Sequence, residues 1–237
     1  MGIVYTTSNL LMQSALRIFG DWEVSGRENV PRKGALIVVA NHISDIDAGI
    51  LNASIPRRVE FMAKAELFQK PIISHLSRAY GAFPINENGR EFYSINHSLA
   101  ILNRNGALGI FPEGAKNPTA LGEAMLGSAM IAMKSGSPIL PVGIIGTESV
   151  GNGLRICYPR GTFRVTIGKP FSLVPDAREN RRRENVESAT DTIMKQIAAL
   201  LPERYRGVYH NDWKGERSYT SPHKWWTVKL NKLNGPA

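Results

Sequence analysis

Residues 35–47 read ALIVVANHISDID, an apolar run that ends in a histidine and two aspartates. The stretch ALIVVAN (35–41) reads as a strand covered on both faces. Such strands belong to α/β sheets, and ligands bind in those sheets beyond the carboxyl ends of the strands. A polar cluster in that position is a candidate site. His42 is a candidate general base, with Asp45 or Asp47 as the carboxylate that orients it. On a continuous helix Asp47 would point about 140° away from His42. Pairing them therefore requires His42 to lie in a turn before the helix. Ser44 suits that turn, because S-x-x-D resembles a capping box with Ser44 at the N-cap. The same residues also read as a plain helix cap beside a solvated imidazole.

Outward from this stretch, the pattern alternates between strand and helix. A helix over 8–19, capped by Ser8, would place Leu11, Ala15, Ile18 and Phe19 on one face. After ALIVVAN come a helix over 44–54, a strand VEFMAK (59–64), a helix over 66–80 broken at Pro71 and a short extended piece GAFPIN (81–86). A helix over 90–105 stops near Gly106, and ALGIFPEG (107–114) runs from strand into turn. Further on are a helix over 122–136, strands at 137–147 and 163–171, and a charged helix over 176–201. This alternation predicts a single α/β domain with a largely parallel central sheet flanked by helices. The expected boundaries are an amphipathic N-terminal region (1–24), the α/β domain (25–210) and a basic aromatic tail (211–237). NHISDID and FPEGAKN both follow strands, which suggests one shared pocket.

The 237 residues carry a net charge of +9, with a pI near 9.8, so anionic partners are expected. Nucleic acid is not among them. The arginines of RENRRRE alternate with Glu179, Glu184 and Glu187, as on a solvated helix face, and no nucleic-acid motif accompanies them. The single cysteine, Cys157, excludes an internal disulfide and suits a reducing compartment. None of the five histidines forms a close ligand pair, so no metal site is expected. The start lacks the basic region of a signal peptide, and no window gives roughly twenty continuous apolar residues. A cytoplasmic protein attached peripherally to membranes is the expectation. The tail segment HKWWTVKLNKLN offers Trp225 and Trp226 among Lys224, Lys229 and Lys232 for an anionic membrane surface.

Four segments in order carry a resemblance: NHISDID, GAFPINENGR (81–90), FPEGAKN (111–117) and SPILPVGIIG (137–146). Together they resemble the glycerolipid acyltransferases, which include the lysophosphatidic acid acyltransferases, over roughly residues 35–147. That family has N-H-x4-D, a segment ending in arginine, F-P-E-G-T-R-S and a proline-centred V-P-I-V-P-V stretch. The resemblance implies acyl transfer from a thioester, on acyl-CoA or acyl carrier protein, to a lysophospholipid hydroxyl, most simply that of 1-acyl-glycerol-3-phosphate. It implies His42 as base and Asp47 as its partner. Glu113 and Gly114 would line the acceptor site, and Pro141 would shape the acyl-donor side. No cofactor is implied. Lys116 stands where the family usually has arginine, and Glu87 falls where the second motif ends in one. Lys116 and Arg90 are then the cations for a phosphorylated acceptor, and another lysolipid acceptor stays open. A hydrolase using His42 is the alternative chemistry. No G-x-S-x-G nucleophile elbow is present.

Overall fold

Strand β2 (Leu36–Ala40) lies at the centre of the molecule with all five residues buried. Successive side chains point to opposite faces of a sheet. Leu36, Val38 and Ala40 join one hydrophobic cluster, and Ile37 and Val39 join the other. That explains why the segment is apolar throughout rather than alternating.

The computed structural model describes residues 2–64, 68–69, 74, 77–78, 80–85, 91–150, 153–156, 158–173 and 183–211. Around β2 runs a seven-stranded sheet with β1 (Asp21–Ser25), β3 (Val59–Lys64), β4 (Ala82–Ile85), β5 (Ala107–Ile110), β6 (Ile139–Ile145) and β7 (Thr162–Ile167). The order is β1-β7-β6-β2-β5-β3-β4, and every neighbouring pair is parallel except β6–β7. Helices α1 (Ile3–Phe19) and α2 (Asp47–Ser54) cover one face. Helices α3 (Glu91–Asn103), α4 (Gly127–Ser135) and α5 (Arg183–Ala198) cover the other. The expected α/β architecture with a largely parallel sheet is what forms.

Proline is uncommon inside a sheet, because it removes a ladder donor. Pro141 sits in β6 level with Val39 of β2. Its neighbour on the far side, β7, ends at Ile167 opposite Val142, and the chains next meet where Ile139 and Phe171 exchange backbone hydrogen bonds. The missing N–H of Pro141 falls in that gap. Its carbonyl is still used, accepting from the Gly168 N–H at 2.9 Å.

Several expectations change. Helix α1 begins at Ile3, so Ser8 lies inside it and caps nothing. It packs on the domain through a face other than the Leu11, Ile18 and Phe19 face read from the sequence. Tyr5 and Leu16 are buried, and Met12 packs so closely on Gly49 of α2 that a Cβ there would lie 2.8 Å from the Met12 methyl. Tyr5 donates its hydroxyl to Asn52, and Gln13 donates to the Ala53 carbonyl. Leu11, Ile18 and Phe19 face outward, with Ile3, Val4 and Leu10. Strand β1 was not anticipated. It is a half-exposed edge strand that pairs Trp22 with Phe163 and Val24 with Val165. Helix α4 starts at Gly127 rather than 122, for a reason that belongs to the site. Among the described residues no helix is long and apolar enough to cross a membrane. Cys157, most of the helix expected over 66–80, Glu87, Arg90 and the Trp225–Trp226 tail lie outside the described residues.

Candidate active site

Strands β2 and β5 are parallel neighbours, with Val39 level with Ile110. The loops that leave their carboxyl ends therefore run side by side. His42 and Glu113, each three residues beyond that register pair, come level. The two polar clusters converge through this adjacency.

The chain leaves β2 at Asn41. Its side chain donates to the Ile144 carbonyl at 2.7 Å and accepts the Ile144 N–H at 2.8 Å. The amide thus takes the place of a strand backbone, so β6 keeps its hydrogen bonds while the main chain of β2 turns away. The next three residues wrap around the Asp47 carboxylate. Its Oδ2 accepts from the Ile43 N–H at 2.6 Å and the Ser44 N–H at 2.8 Å, and lies 2.9 Å from His42 Nδ1. Asp47 is fully buried, and the His42 side chain is 20% exposed. Asp47 is also the first residue of α2, where the helix dipole favours a negative charge. Its second oxygen has no hydrogen-bond partner among the described residues.

The capping box expected at Ser44 forms only by half. Asp47 accepts from the Ser44 N–H, but the Ser44 hydroxyl reaches the Ile46 N–H at 3.4 Å instead of capping the helix. Asp47 N–H bonds the Ser44 carbonyl, and Ile46 stands at the N-cap. His42 does lie in the turn before the helix, as pairing with Asp47 requires.

On the β5 side, Phe111-Pro112-Glu113-Gly114 closes a turn through a Gly114 N–H to Phe111 carbonyl bond of 3.1 Å. Pro at the second position and Gly at the fourth suit a type I turn. Gly114 has φ +67°, and a Cβ there would lie 2.0 Å from the Met125 sulfur. A side chain at this position is therefore excluded on both counts. The turn aims Glu113 at the facing loop. Oε1 accepts from the His42 N–H at 3.0 Å, and Oε2 accepts from Asn117 Nδ2 at 2.5 Å and the Gly122 N–H at 2.8 Å. Asn117 N–H donates to the His42 carbonyl at 2.7 Å. Both main-chain groups of His42 are thus held by the FPEGAKN loop. The bond to Gly122, with one from Met125 N–H to Pro112 carbonyl, keeps 121–125 out of the helix and delays α4.

The imidazole of His42 stacks on Phe111, with centroids 4.2 Å apart and planes at 17°, and Phe111 in turn stacks on Phe61 at 5.8 Å. Gly109 leaves space for this column, since a Cβ there would lie 2.2 Å from the Phe61 ring. Nδ1 on Asp47, main chain on Glu113 and Asn117, and ring face on Phe111 together fix the imidazole. Lys116 bonds both oxygens of Asp45, at 2.8 and 2.9 Å. Pro141 is a buried sheet residue, within the strand expected over 137–147. Among the described residues no group of His, Cys, Asp and Glu side chains is placed to hold a metal ion. Asn41, Phe61, Phe111 and Asn117 were not among the residues picked from sequence, although three of them stand in the quoted motifs.

Burial pushes the Glu113 carboxyl above the ordinary carboxylate range, against the opposing pull of its Gly122, His42 and Asn117 donors. A raised folded-state value stabilises the fold most below the unfolded value, and that contribution is lost as pH rises through the folded value. Glu113→Gln keeps the shape but sets an amide N–H₂ against existing donors, which costs about 1–3 kcal/mol. We expect the stability gap between wild type and E113Q to narrow from acid toward neutral pH, measured by thermal unfolding. A widening gap would mean that the folded-state value is lowered instead.

Known proteins resemble this chain in sequence and in fold. The 1-acyl-sn-glycerol-3-phosphate acyltransferase of Bacillus subtilis is 26% identical over 186 residues, covering 78% of this chain and 90% of that protein. The Streptococcus pneumoniae protein of the same name is 25% identical over 221 residues, covering 90% and 77%. The crystal structure of the 1-acyl-sn-glycerophosphate acyltransferase PlsC from Thermotoga maritima matches the fold with a TM-score of 0.62 at 24% identity, over 84% of this chain and 79% of that one. The family model described as Acyltransferase matches residues 21–145, a span that holds both loops of the site and more than half of the chain. The protein is an acyltransferase, and the chain belongs to that family.

Proposed function

We propose that this enzyme moves a fatty acyl group from an acyl thioester, acyl-CoA or acyl carrier protein, to the free hydroxyl of a lysophospholipid, with 1-acyl-glycerol-3-phosphate as acceptor and phosphatidic acid as product. The observation that supports this most is the 2.9 Å pair of His42 Nδ1 with buried Asp47. With Nδ1–H held by a carboxylate, Nε2 is the nitrogen left to accept a proton. The acceptor hydroxyl gives its proton to Nε2 as its oxygen attacks the thioester carbonyl carbon. The tetrahedral intermediate collapses, the C–S bond breaks, and the thiolate leaves with the proton returned from the imidazolium. The products are an ester and a free thiol. Asp47 steadies the imidazolium in between. In this reading Gly114, Lys116 and Arg90 serve the acceptor headgroup, Pro141 serves the donor side, and Glu113 acts through the His42 main chain it holds. The names of the relatives favour this acceptor.

The test is an assay of the purified protein with labelled acyl-CoA and a panel of lysolipids. Acylated 1-acyl-glycerol-3-phosphate is expected. Labelled free fatty acid with no acylated lipid would establish a hydrolase instead.

Such an acceptor resides in a bilayer, and we propose that α1 docks there. It presents Ile3, Val4, Leu10, Leu11, Ile18 and Phe19 to the outside. Changing Leu10, Leu11, Ile18 and Phe19 to serine should weaken liposome binding at least about tenfold, since apolar burial drives interfacial attachment. Sedimentation with anionic vesicles measures it. Undiminished binding that remains sensitive to salt would move the anchor to the basic tail.

A further inference from the structure

The two loops of the site, 41–47 and 111–117, contain three carboxylates and one lysine. Two of the carboxylates are buried and committed to protein donors: Asp47 to the His42 loop, Glu113 to His42, Asn117 and Gly122. Asp45 differs. It is exposed, and among the described residues its hydrogen-bonded contact across the loops is with Lys116, which meets both of its oxygens. Asp45 belongs to the turn three residues after His42. Lys116 directly precedes Asn117, whose N–H holds the His42 carbonyl. The pair thus bridges the two loops beside the imidazole, with side chains 42% and 46% exposed.

We infer that Asp45 is a specificity-determining residue: its carboxylate competes with the acceptor headgroup for Lys116, so that an anionic acceptor binds by exchanging for Asp45. The inference rests on the proposed lysophospholipid acceptor. Lysine suits such an exchange. Its ammonium is a compact charge with three rotatable donors, and it turns from one anion to another without the fixed fork of arginine. An exposed ion pair is weak enough to open. A phosphomonoester, close to doubly charged, offers Lys116 a stronger partner but also meets the repulsion of Asp45. A zwitterionic headgroup meets less of it. The site therefore discriminates among headgroups by net charge, and it does so through a residue that touches no reacting atom.

The experiment compares wild type, D45N, K116A and the double variant, with acyl-CoA as donor. The acceptors are 1-acyl-glycerol-3-phosphate and a choline-bearing lysophospholipid. D45N should lower KM for the phosphomonoester about two- to fivefold, the range for losing an exposed pair. Its kcat and donor KM should stay within about twofold, and the zwitterionic acceptor should gain less. K116A should raise KM for the phosphomonoester, and adding D45N to it should recover less than D45N gains in the wild-type background, because only the direct repulsion of Asp45 is left to remove. A D45N enzyme with raised acceptor KM or a lower kcat would overturn the inference, as would an equal gain in the K116A background. Thermal unfolding of each variant shows that the fold is kept. A wild-type enzyme that acylates neither acceptor overturns the proposed function and this inference together. Normal turnover with an unchanged D45N KM overturns the inference alone.

Discussion

His42→Ala should lower kcat on the order of 10²–10⁴-fold, the contribution of a positioned general base. The argument is geometric. An alcohol attacks a thioester slowly unless its proton is removed as the bond forms, and among the described residues the site offers one group for that task. Asp47 is buried behind the imidazole, Glu113 spends both oxygens on protein donors, and Asp45 is paired with Lys116. Alanine should leave the fold nearly unchanged. The main-chain groups of His42, held by Glu113 and Asn117, do not depend on its side chain. What is lost is the stack on Phe111 and one of three hydrogen bonds to Asp47 Oδ2. Single-turnover kinetics with saturating acceptor isolates the chemical step, and circular dichroism reports the fold. A variant that keeps its rate within tenfold would remove His42 from the chemistry.

The parts of this picture that were legible in the sequence are those set by strand ends. ALIVVA and ALGI are short, apolar and followed by polar clusters, so their strands and the loops after them could be read directly. Their adjacency could not, because β2 and β5 are separated in sequence by two strands and their helices, and only the sheet order brings the clusters together. Helix α1 was legible by one of its faces, the exposed one with Leu11, Ile18 and Phe19. IVYTTSNLLMQSALRIF carries apolar residues on two faces, and periodicity does not say which one meets α2; Tyr5 with Asn52 and Met12 with Gly49 decide it. Strand β1 was hidden because Asp21, Glu23 and Ser25 point to solvent on a five-residue edge. The late start of α4 has a tertiary cause: the 121–125 backbone is taken by Glu113, Pro112 and Tyr205 before a helix can use it. The roles of Asn41 and Asn117 were missed for a similar reason. Each is an ordinary loop residue until its partner, Ile144 or His42, is placed beside it.

Asp47 should show how far chemistry and folding separate at a buried position. In Asp47→Asn the amide oxygen can still accept from the Ile43 and Ser44 N–H groups, so the turn before α2 survives. A neutral amide does not steady an imidazolium, and its N–H₂ group can favour the wrong imidazole tautomer. The loss in kcat should therefore be on the order of 10²–10⁴, comparable to H42A. The thermal cost should be moderate. The new N–H₂ takes the place of Oδ1, which is buried and has no partner among the described residues, and a buried unsatisfied donor costs about 1–3 kcal/mol. Asp47→Ala differs. It leaves the Ile43 and Ser44 N–H groups without an acceptor in a fully buried position and removes the negative charge from the start of α2. It should lose at least as much activity as D47N and more stability. H42A and D47N combined should be little worse than H42A alone, because Asp47 acts on the chemistry through the imidazole. Steady-state kinetics and thermal melts of the three variants and the double variant measure all of this. Fully additive rate losses, with H42A and D47N multiplying, would mean that Asp47 serves the reaction by a route other than His42.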